Sequence, residues 1–230
     1  MSTFDKIQHT ANSSMKRWQM TEEGDRILIG LSGGKDSLAL VEILAERQKI
    51  FVPRIEAIAC HVSVSNVPYQ SDIEYLREFC QSRGVRFIHE ATAFEDDTKQ
   101  NRSKCWLCSW SRRKALFKVA EREKCNKLAL GHHKDDIVET LLMNEIFTGR
   151  FESIPPVLQM EKFPLTVIRP LCEVREYLLA TLASEHGYAK QIKNCPYEQE
   201  GNRPKIRALL NQMTDLNPEV YESLFSALIR

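Results

Sequence analysis

Arg26-Ile-Leu-Ile-Gly-Leu-Ser-Gly-Gly-Lys-Asp-Ser37 is the stretch that decides how this chain folds. Its opening apolar run is typical of a buried strand, and the apolar pattern resumes after the turn in Leu38-Ala-Leu-Val-Glu-Ile-Leu44, which is typical of a helix. Gly33 and Gly34 have no Cβ, so the backbone between strand and helix can approach an anion closely. The helix N-terminus supplies N–H donors and a favourable dipole, and Lys35 adds a positive charge. The stretch therefore predicts a strand, a phosphate-binding loop and a helix.

This loop differs from the ordinary P-loop pattern G-x-x-x-x-G-K-[ST] at two positions. Ile29 stands where the first glycine belongs, and Asp36 stands where the Ser or Thr should follow the lysine. Ser32-Gly-Gly-Lys-Asp-Ser37 instead resembles, at all of its positions, the pyrophosphate-binding loop of the N-type ATP pyrophosphatases, which split ATP between the α and β phosphates. The resemblance implies a nucleotide site and catalytic roles for Lys35 and Asp36, with Asp36 as a Mg²⁺ ligand. The residues implied to hold the nucleotide are Ser32, Gly33, Gly34, Lys35, Asp36 and Ser37.

Length and composition indicate an ordinary globular protein. The 230 residues suffice for one sizeable core, or for one α/β domain with a small appendage. The net charge of +1 gives no global attraction to nucleic acid, so any contact with RNA must come from local patches. There is no apolar run of ~20 residues and no apolar signal core at the N-terminus, so we expect a cytoplasmic location.

Apolar strands and amphipathic helices alternate along the chain. This alternation predicts a doubly wound α/β domain with a parallel sheet, whose ligand lies at the carboxyl ends of the strands. We expect residues 1–172 to form the nucleotide-binding domain and residues 173–230 a helical extension. The N-terminal helix should pack on the sheet edge or on a partner subunit, which favours a homodimer. After the first strand, the predicted strands are 55–62, 85–88, 127–131 and 165–168, and the predicted helices besides that at 38–44 are 3–20, 69–83, 105–123, 137–147, 175–186, 203–213 and 218–229 with Asn217-Pro218 as N-cap and N1.

A second site stretch, Gly131-His-His-Lys-Asp-Asp136, follows a predicted strand and precedes a helix. Gly131 permits close backbone approach to an adenylate, and the two carboxylates could hold Mg²⁺ or transfer a proton. Asp136 could equally be an N-cap with Glu139 three residues on, so we favour Asp135 for chemistry. The two histidines are weaker candidates that could simply pack against the sheet.

Three of the seven cysteines have the setting of exposed ligands. Cys105 and Cys108 have C-x-x-C spacing at the head of a helix, where the dipole favours the thiolate. Cys195 lies in the polar stretch Lys193-Asn-Cys-Pro196, an unusual place for a buried thiol. Three such cysteines without an adjacent histidine favour an iron–sulfur cluster over a closed four-ligand zinc site. The other four, which we expect to be buried, are Cys60, Cys80, Cys125 and Cys172.

The sequence around the C-x-x-C pair is basic and aromatic. Cations for phosphates beside rings for stacking are what a looped or single-stranded RNA requires. The alternative is a solvated helix face with two core tryptophans. The cluster comprises Lys99, Arg102, Lys104, Trp106, Trp110, Arg112, Arg113, Lys114 and Lys118.

Together with Ile168-Arg-Pro-Leu171, these motifs resemble the tRNA 2-thiocytidine synthetase branch of the ATP pyrophosphatases. The resemblance implies that ATP activates a pyrimidine carbonyl of tRNA and that sulfur from a hydrosulfide or persulfide source replaces the oxygen. It also implies a [4Fe-4S] cluster on Cys105, Cys108 and Cys195. Arg112 is implied to stabilise the activated intermediate. The implied neighbours of adenine are His61 and Val62.

Three other functions remain open from the sequence. A lysidine-type tRNA ligase shares the glycine-rich loop but needs no cluster, so the exposed cysteines would be idle. A non-catalytic ATP-binding or redox module would use Cys105 and Cys108 as a reversible disulfide and would not cleave ATP. Sulfuration of a small molecule is also compatible with the near-neutral net charge.

Overall fold

A six-stranded sheet forms the centre of the protein. The computed structural model describes residues 1–67, 71–94, 104–190 and 202–229. The strands are β1 (Asp25–Gly30), β2 (Ile55–Val64), β3 (Arg86–Thr92), β4 (Lys127–Ala129), β5 (Val157–Gln159) and β6 (Thr166–Ile168). Their order across the sheet is β3-β2-β1-β4-β6-β5, and every neighbouring pair is parallel except β5 with β6. The predicted α/β class with a doubly wound parallel sheet is confirmed.

Eight helices lie in the described parts of the chain. They are α1 (Thr3–Arg17), α2 (Lys35–Arg47), α3 (Ile73–Gln81), α4 (Lys104–Arg122), α5 (Lys134–Thr148), α6 (Glu176–Glu185), α7 (Arg203–Leu216) and α8 (Val220–Leu228). Successive side chains of a strand face opposite sides of a sheet. Ile27 and Ile29 of β1 therefore join the core beneath α2, whereas Leu28 joins the separate core beneath α4.

Three helices begin at one edge of the sheet. α2 follows β1, α4 comes after β3 and α5 follows β4, and these strands all run in the same direction. The N-termini of the three helices therefore lie along the carboxyl edge. The strand order reverses between β1 and β4, which is where doubly wound sheets bind their ligands.

Some predicted boundaries are wrong. The antiparallel strand β5 was not expected, and β3 extends to Thr92 rather than ending near residue 88. α3 begins at Ile73, while the predicted start at Tyr69 lies outside the described residues. Asn217 is not the N-cap of the last helix, since Glu219 takes that position. Asn217 instead ends α7, and its side-chain oxygen accepts a hydrogen bond from the backbone N–H of Glu219 at 3.0 Å.

The helices beyond residue 172 pack on the nucleotide-binding part of the chain. α6 contacts α1 and α2, whereas α7 and α8 contact α5. The apolar side of α1, including Ile7, Ala11 and Met15, is buried within the chain's own core. The division at residue 172 and the homodimer remain predictions. None of the described helices is long and apolar enough to cross a membrane.

Candidate functional site

The glycine turn after β1 is held in shape by its own side chains. Gly33 has φ +83°, a left-handed conformation that favours glycine. The Ser32 and Ser37 hydroxyls lie 3.1 Å apart, and Ser37 also donates to the carbonyl of Gly34 at 2.9 Å. The Gly34 N–H points to the Ser32 hydroxyl at 3.3 Å. These internal hydrogen bonds fix the shape of the loop.

The N-terminus of α2 is open to an anion. Gly34 is its N-cap, and among the described residues no side chain provides a capping hydrogen bond there. The first amides of a helix have no partner within the helix, and their dipoles favour negative charge. Because this helix starts at the point where the strand order reverses, its N-terminus fits a phosphate group.

Gly131 brings the second site stretch against this loop. A Cβ at Gly131 would lie 3.1 Å from the carbonyl oxygen of Asp36 and 3.2 Å from the amide nitrogen of Ser37. At such distances a side chain could be accommodated only if the backbone of α2 moved by a few tenths of an ångström. The sequence predicted close approach of a ligand at Gly131, and the structure shows that the backbone of α2 itself is the near neighbour.

Lys35 is held between two carboxylates. Its Nζ lies 3.0 Å from Asp36 Oδ1 and 3.0 Å from Glu176 Oε1 at the start of α6. Burial lowers the pKa of Lys35, but the charges of Asp36 and Glu176 outweigh burial and leave the pKa above its ordinary value. Lys35 is therefore an ammonium ion at neutral pH, and Glu176 fixes its direction.

Asp135 is buried and joins two helices. Arg175 approaches both of its carboxylate oxygens at 3.3 Å, and the backbone N–H of Glu176 donates to Asp135 Oδ2 at 2.8 Å. Asp135 thus caps the first turn of α6, which carries the partner of Lys35. Its assignment to chemistry remains a prediction, and its observed contacts are those of a positioning residue.

The expectation that Asp136 is an N-cap is wrong. His133 is the N-cap of α5, and Asp136 is at position N3 of a reciprocal capping box. The Asp136 N–H donates to His133 Nδ1 at 3.3 Å, and the His133 N–H donates to Asp136 Oδ2 at 3.1 Å. His133 Nε2 also lies 4.0 Å from Asp36 Oδ1, so the two site stretches meet at this imidazole.

Two arginines of α7 extend the charged network. Arg203 pairs with Asp136 at 2.8 Å and Glu139 at 3.0 Å, while Arg207 pairs with Glu139 at 2.7 Å and Glu176 at 3.4 Å. Sequence reasoning missed Glu176 and both arginines. The only signal was the spacing of four between the arginines, which places them on one side of a helix.

His61 lies in the second half of β2, and its ring contacts Leu31, the residue just before the glycine turn. Its ring is 2 % exposed, and Nδ1 lies 2.7 Å from the carbonyl oxygen of Leu31. Burial is the main cause that lowers the pKa of His61, and the nearby positive charge of Arg112 contributes. Nδ1 of the neutral ring donates to Leu31, so Nε2 is an acceptor, and it has no partner among the described residues. Val62 is buried beside it.

The cysteines separate as expected where the structure describes them. Cys105 is exposed and Cys108 half-buried in the first turn of α4, and a spacing of three residues puts them on one side of the helix. Cys195 lies outside the described residues, within which no group of three possible metal ligands occurs. The predicted buried set is confirmed. Burial raises the pKa of Cys60, Cys80 and Cys172 to about 12 and that of Cys125 to about 11.

The two tryptophans on α4 are not core residues. Trp106 is 41 % exposed and Trp110 48 % exposed, and their rings stack at 5.8 Å between centroids. The alternative of two core tryptophans is therefore wrong. Lys104, Arg113, Lys114 and Lys118 are exposed around this pair, whereas Lys99 and Arg102 lie outside the described residues. The aromatic and basic surface of α4 is thus open to solvent.

Comparisons with known proteins agree with this geometry. Residues 6–213 match the family model described as a PP-loop domain. A tRNA-cytidine(32) 2-sulfurtransferase of Syntrophotalea carbinolica is 35% identical over 98% of this chain and 88% of its own length. One from Geobacter metallireducens is 34% identical over 98% of this chain and 89% of its own. Among solved structures, the U34-tRNA thiolase NcsA from Methanococcus maripaludis with its [4Fe-4S] cluster has a TM-score of 0.82 at 26% identity, covering 99% of this chain and 79% of that one.

Proposed function

The chain belongs to the PP-loop domain family, and we propose that it thiolates a cytidine of tRNA at C2. The proposal rests on its relatives, which are tRNA 2-sulfurtransferases. The chain is an ATP-dependent tRNA thiolation enzyme that uses ATP with Mg²⁺ and a [4Fe-4S] cluster. The names of the relatives specify cytidine 32 of tRNA, and we infer the same position for this chain. The observation that carries the proposal is that α2, α4 and α5 begin at one sheet edge, so the glycine turn, the C-x-x-C pair and Gly131 lie on the same side.

We infer that the glycine turn holds the phosphates of ATP. The amides at the start of α2 and the ammonium of Lys35 supply positive potential to pyrophosphate. Asp36 is the Mg²⁺ ligand of this proposal. The unpartnered Nε2 of His61 is an acceptor of the kind that the amino group of adenine requires, which supports the placement of adenine beside His61 and Val62.

The chemistry begins with activation of the pyrimidine carbonyl. Its oxygen is a poor leaving group, and transfer of AMP onto it creates a good one while pyrophosphate is released. Lys35 and the α2 amides bear the charge that develops on pyrophosphate. Arg112, one turn after Cys108 and close enough to His61 to affect its pKa, is suited to stabilise the activated intermediate.

The donor set fits an iron–sulfur cluster. Two accessible thiols at the start of one helix contrast with four buried ones, so among the described cysteines only this pair can reach a ligand outside the core. We propose Cys195 as the third ligand. α7, which follows it in sequence, is tied to α5 by Arg203. These three cysteines would hold the cluster, which would supply iron chemistry for the transfer of sulfur.

The remaining partners are part of the proposal. A hydrosulfide or persulfide source would supply the sulfur. Since the substrate is tRNA, we infer that the protein acts in the cytoplasm. The position of α1 does not support the predicted homodimer, because the apolar side of this helix packs in the core of the same chain.

Nucleoside analysis tests the function. Cells lacking this protein should lose 2-thiocytidine from tRNA, and the wild-type gene should restore it, as measured by mass spectrometry of digested tRNA. Lys35→Ala should fail to restore it and should release no pyrophosphate in vitro. Lys49→Ala, at an exposed lysine paired only with Glu46 among the described residues, is the matched control and should restore it fully. An unchanged nucleoside profile in the deletion strain would contradict the proposal.

A further inference from the structure

A partly open cavity of about 190 Å³ lies on the α4 face of the sheet, and among the described residues its lining includes none from the glycine turn. Its walls are largely apolar and come from α4, from β4 and β6 with the residues beside them, and from the chain between α5 and β6. The apolar lining includes Phe117, Leu130, Met160 and Val167. Nothing in the proposed binding of ATP uses this space.

The cavity is lined from two elements that carry the centres of the proposed reaction. Arg113 lines it from α4, the helix that carries Cys105 and Cys108, and it is the neighbour in sequence of Arg112. His132 lines it from the other side, directly after Gly131, which packs on the backbone of Asp36 and Ser37. A group held here is therefore bordered by the cysteine helix and by the second site stretch, whose Gly131 contacts the start of α2.

The volume suits one six-membered ring. An apolar cavity of about 150 Å³ accommodates benzene, whereas pockets for drug-sized ligands usually exceed about 300 Å³. A pyrimidine fits within 190 Å³, and a purine with its second ring is a poor fit. The apolar side chains of the lining also suit contact with the faces of an aromatic ring.

The polar groups of the cavity are hydrogen-bond donors. Arg169 is 7 % exposed; its Nη1 donates to the Pro155 carbonyl at 2.6 Å and its Nε to His132 Nδ1 at 3.3 Å. Burial, followed by the charge of Arg169, lowers the pKa of His132 to about 4, so the ring is neutral at pH 7. Because Nδ1 accepts, the proton lies on Nε2, which is then a donor. Within the described parts of the chain, no carboxylate lines the cavity.

We propose that this cavity receives the target base of the tRNA, flipped out of its loop, and that its donors select cytosine over uracil. This inference rests on the proposed function. Enzymes that act on a base extract it from its stack and read its Watson–Crick edge in a pocket. Cytosine presents two adjacent acceptors there, O2 and N3, which the donors of Arg113, His132 and Arg169 can satisfy. Uracil carries a proton on N3, which would face a donor and lose a hydrogen bond.

Photo-crosslinking tests the position of the base without requiring the cluster. An anticodon stem-loop RNA with 5-bromocytidine at position 32 is irradiated with the full-length protein, and crosslinked peptides are sequenced by mass spectrometry. Crosslinks should map to the peptides that contain Phe117 or Met160. Ile154→Trp, which fills the cavity from a loop, should reduce them about tenfold or more, and Ile146→Trp at an exposed position should not. Crosslinks confined to the Trp106–Trp110 surface would overturn the inference.

A second variant tests selection of the base without disturbing the core. Arg113 is exposed at the mouth of the cavity, so Arg113→Gln should remain folded. With RNAs carrying cytidine or uridine at position 32, it should reduce the cytidine preference in pyrophosphate release by about tenfold. Arg150→Gln is the exposed control and should retain the preference. An unchanged preference in Arg113→Gln would contradict selection by these donors.

The two proposals can fail separately. If the wild-type protein forms 2-thiocytidine and Ile154→Trp forms it at the same rate, the cavity is not the base pocket although the proposed function holds. If crosslinks map to the cavity and no 2-thiocytidine is formed, the base pocket stands and the proposed function fails.

Discussion

Replacing Gly131 by alanine should weaken ATP binding, because the glycine is needed for contact between two parts of the protein rather than for an unusual backbone conformation. The added Cβ would meet the Asp36 carbonyl carbon and oxygen at 3.1 Å and the Ser37 nitrogen at 3.2 Å. All three are backbone atoms in the first turn of α2, so none of them can rotate away as a side chain could. The start of α2 must move by a few tenths of an ångström, and its amides move with it.

Overpacking of this kind costs about 1–3 kcal/mol. Since about 1.4 kcal/mol corresponds to a factor of ten in affinity, the Kd for ATP should rise roughly tenfold if the strain falls on the nucleotide site. Calorimetric titration with α,β-methylene-ATP measures this Kd without turnover, and a thermal melt of the free protein measures the effect on folding.

Gly187→Ala provides the control. Gly187 has φ +63° and open space around the position of a Cβ, so this change should lower the Tm through backbone strain of about 1–2 kcal/mol. It should leave the Kd for ATP unchanged, since Gly187 lies beyond the far end of α6. The reasoning is refuted if Gly131→Ala binds the nucleotide with the wild-type Kd and melts at the wild-type temperature.

Cys195→Ala should lose bound iron while remaining folded, and Cys172→Ala, at a buried cysteine, should retain iron; iron content and far-UV circular dichroism check both. Trp110→Ala should weaken tRNA binding about tenfold, since an aromatic stack contributes ~1–3 kcal/mol per base, whereas Phe51→Ala, at another exposed ring, should have no effect in a gel-shift titration. The pKa of His132 is about 4 in the folded protein, whereas an ordinary histidine has a pKa of about 6.5. The unfolded state therefore binds more protons between these values, and stability should fall as pH falls from about 6.5 towards 4. Urea titrations at both ends of this range should show a smaller loss for His132→Gln, and an equal loss would contradict the assignment.

The parts of the fold that could be predicted from the sequence are those encoded by local pattern. The glycine turn, the strand before it and the helix after it follow from one continuous stretch. The structure has all three there, although α2 extends from Lys35 to Arg47 beyond the predicted 38–44 at both ends. The exposed and buried cysteines could be separated because the buried ones lie within apolar periodic segments. Strand β5 was missed because Val157–Gln159 is too short to show a periodic pattern. Within the described residues it joins the sheet by pairing with β6 alone.

Long-range contacts could not be predicted in this way. Glu176 lies 141 positions from Lys35 in sequence, and only the docking of α6 brings the two together at 3.0 Å. The same holds for Arg203 and Glu139, which are 64 positions apart. Ion pairs between helices depend on packing that no local pattern encodes. His133 was left as a weak candidate for the same reason, although it lies beside the carboxylates of both site stretches.

The stacked tryptophans on α4 give the protein a built-in optical probe. The chain has three tryptophans, and two of them, Trp106 and Trp110, lie within one turn of Cys108. The third, Trp18, is the C-cap of α1 and donates its indole N–H to Glu173. Two of the three tryptophan fluorophores therefore lie beside the C-x-x-C pair. Assembly of an absorbing cluster there should quench this emission, so that loading can be followed in real time without a label.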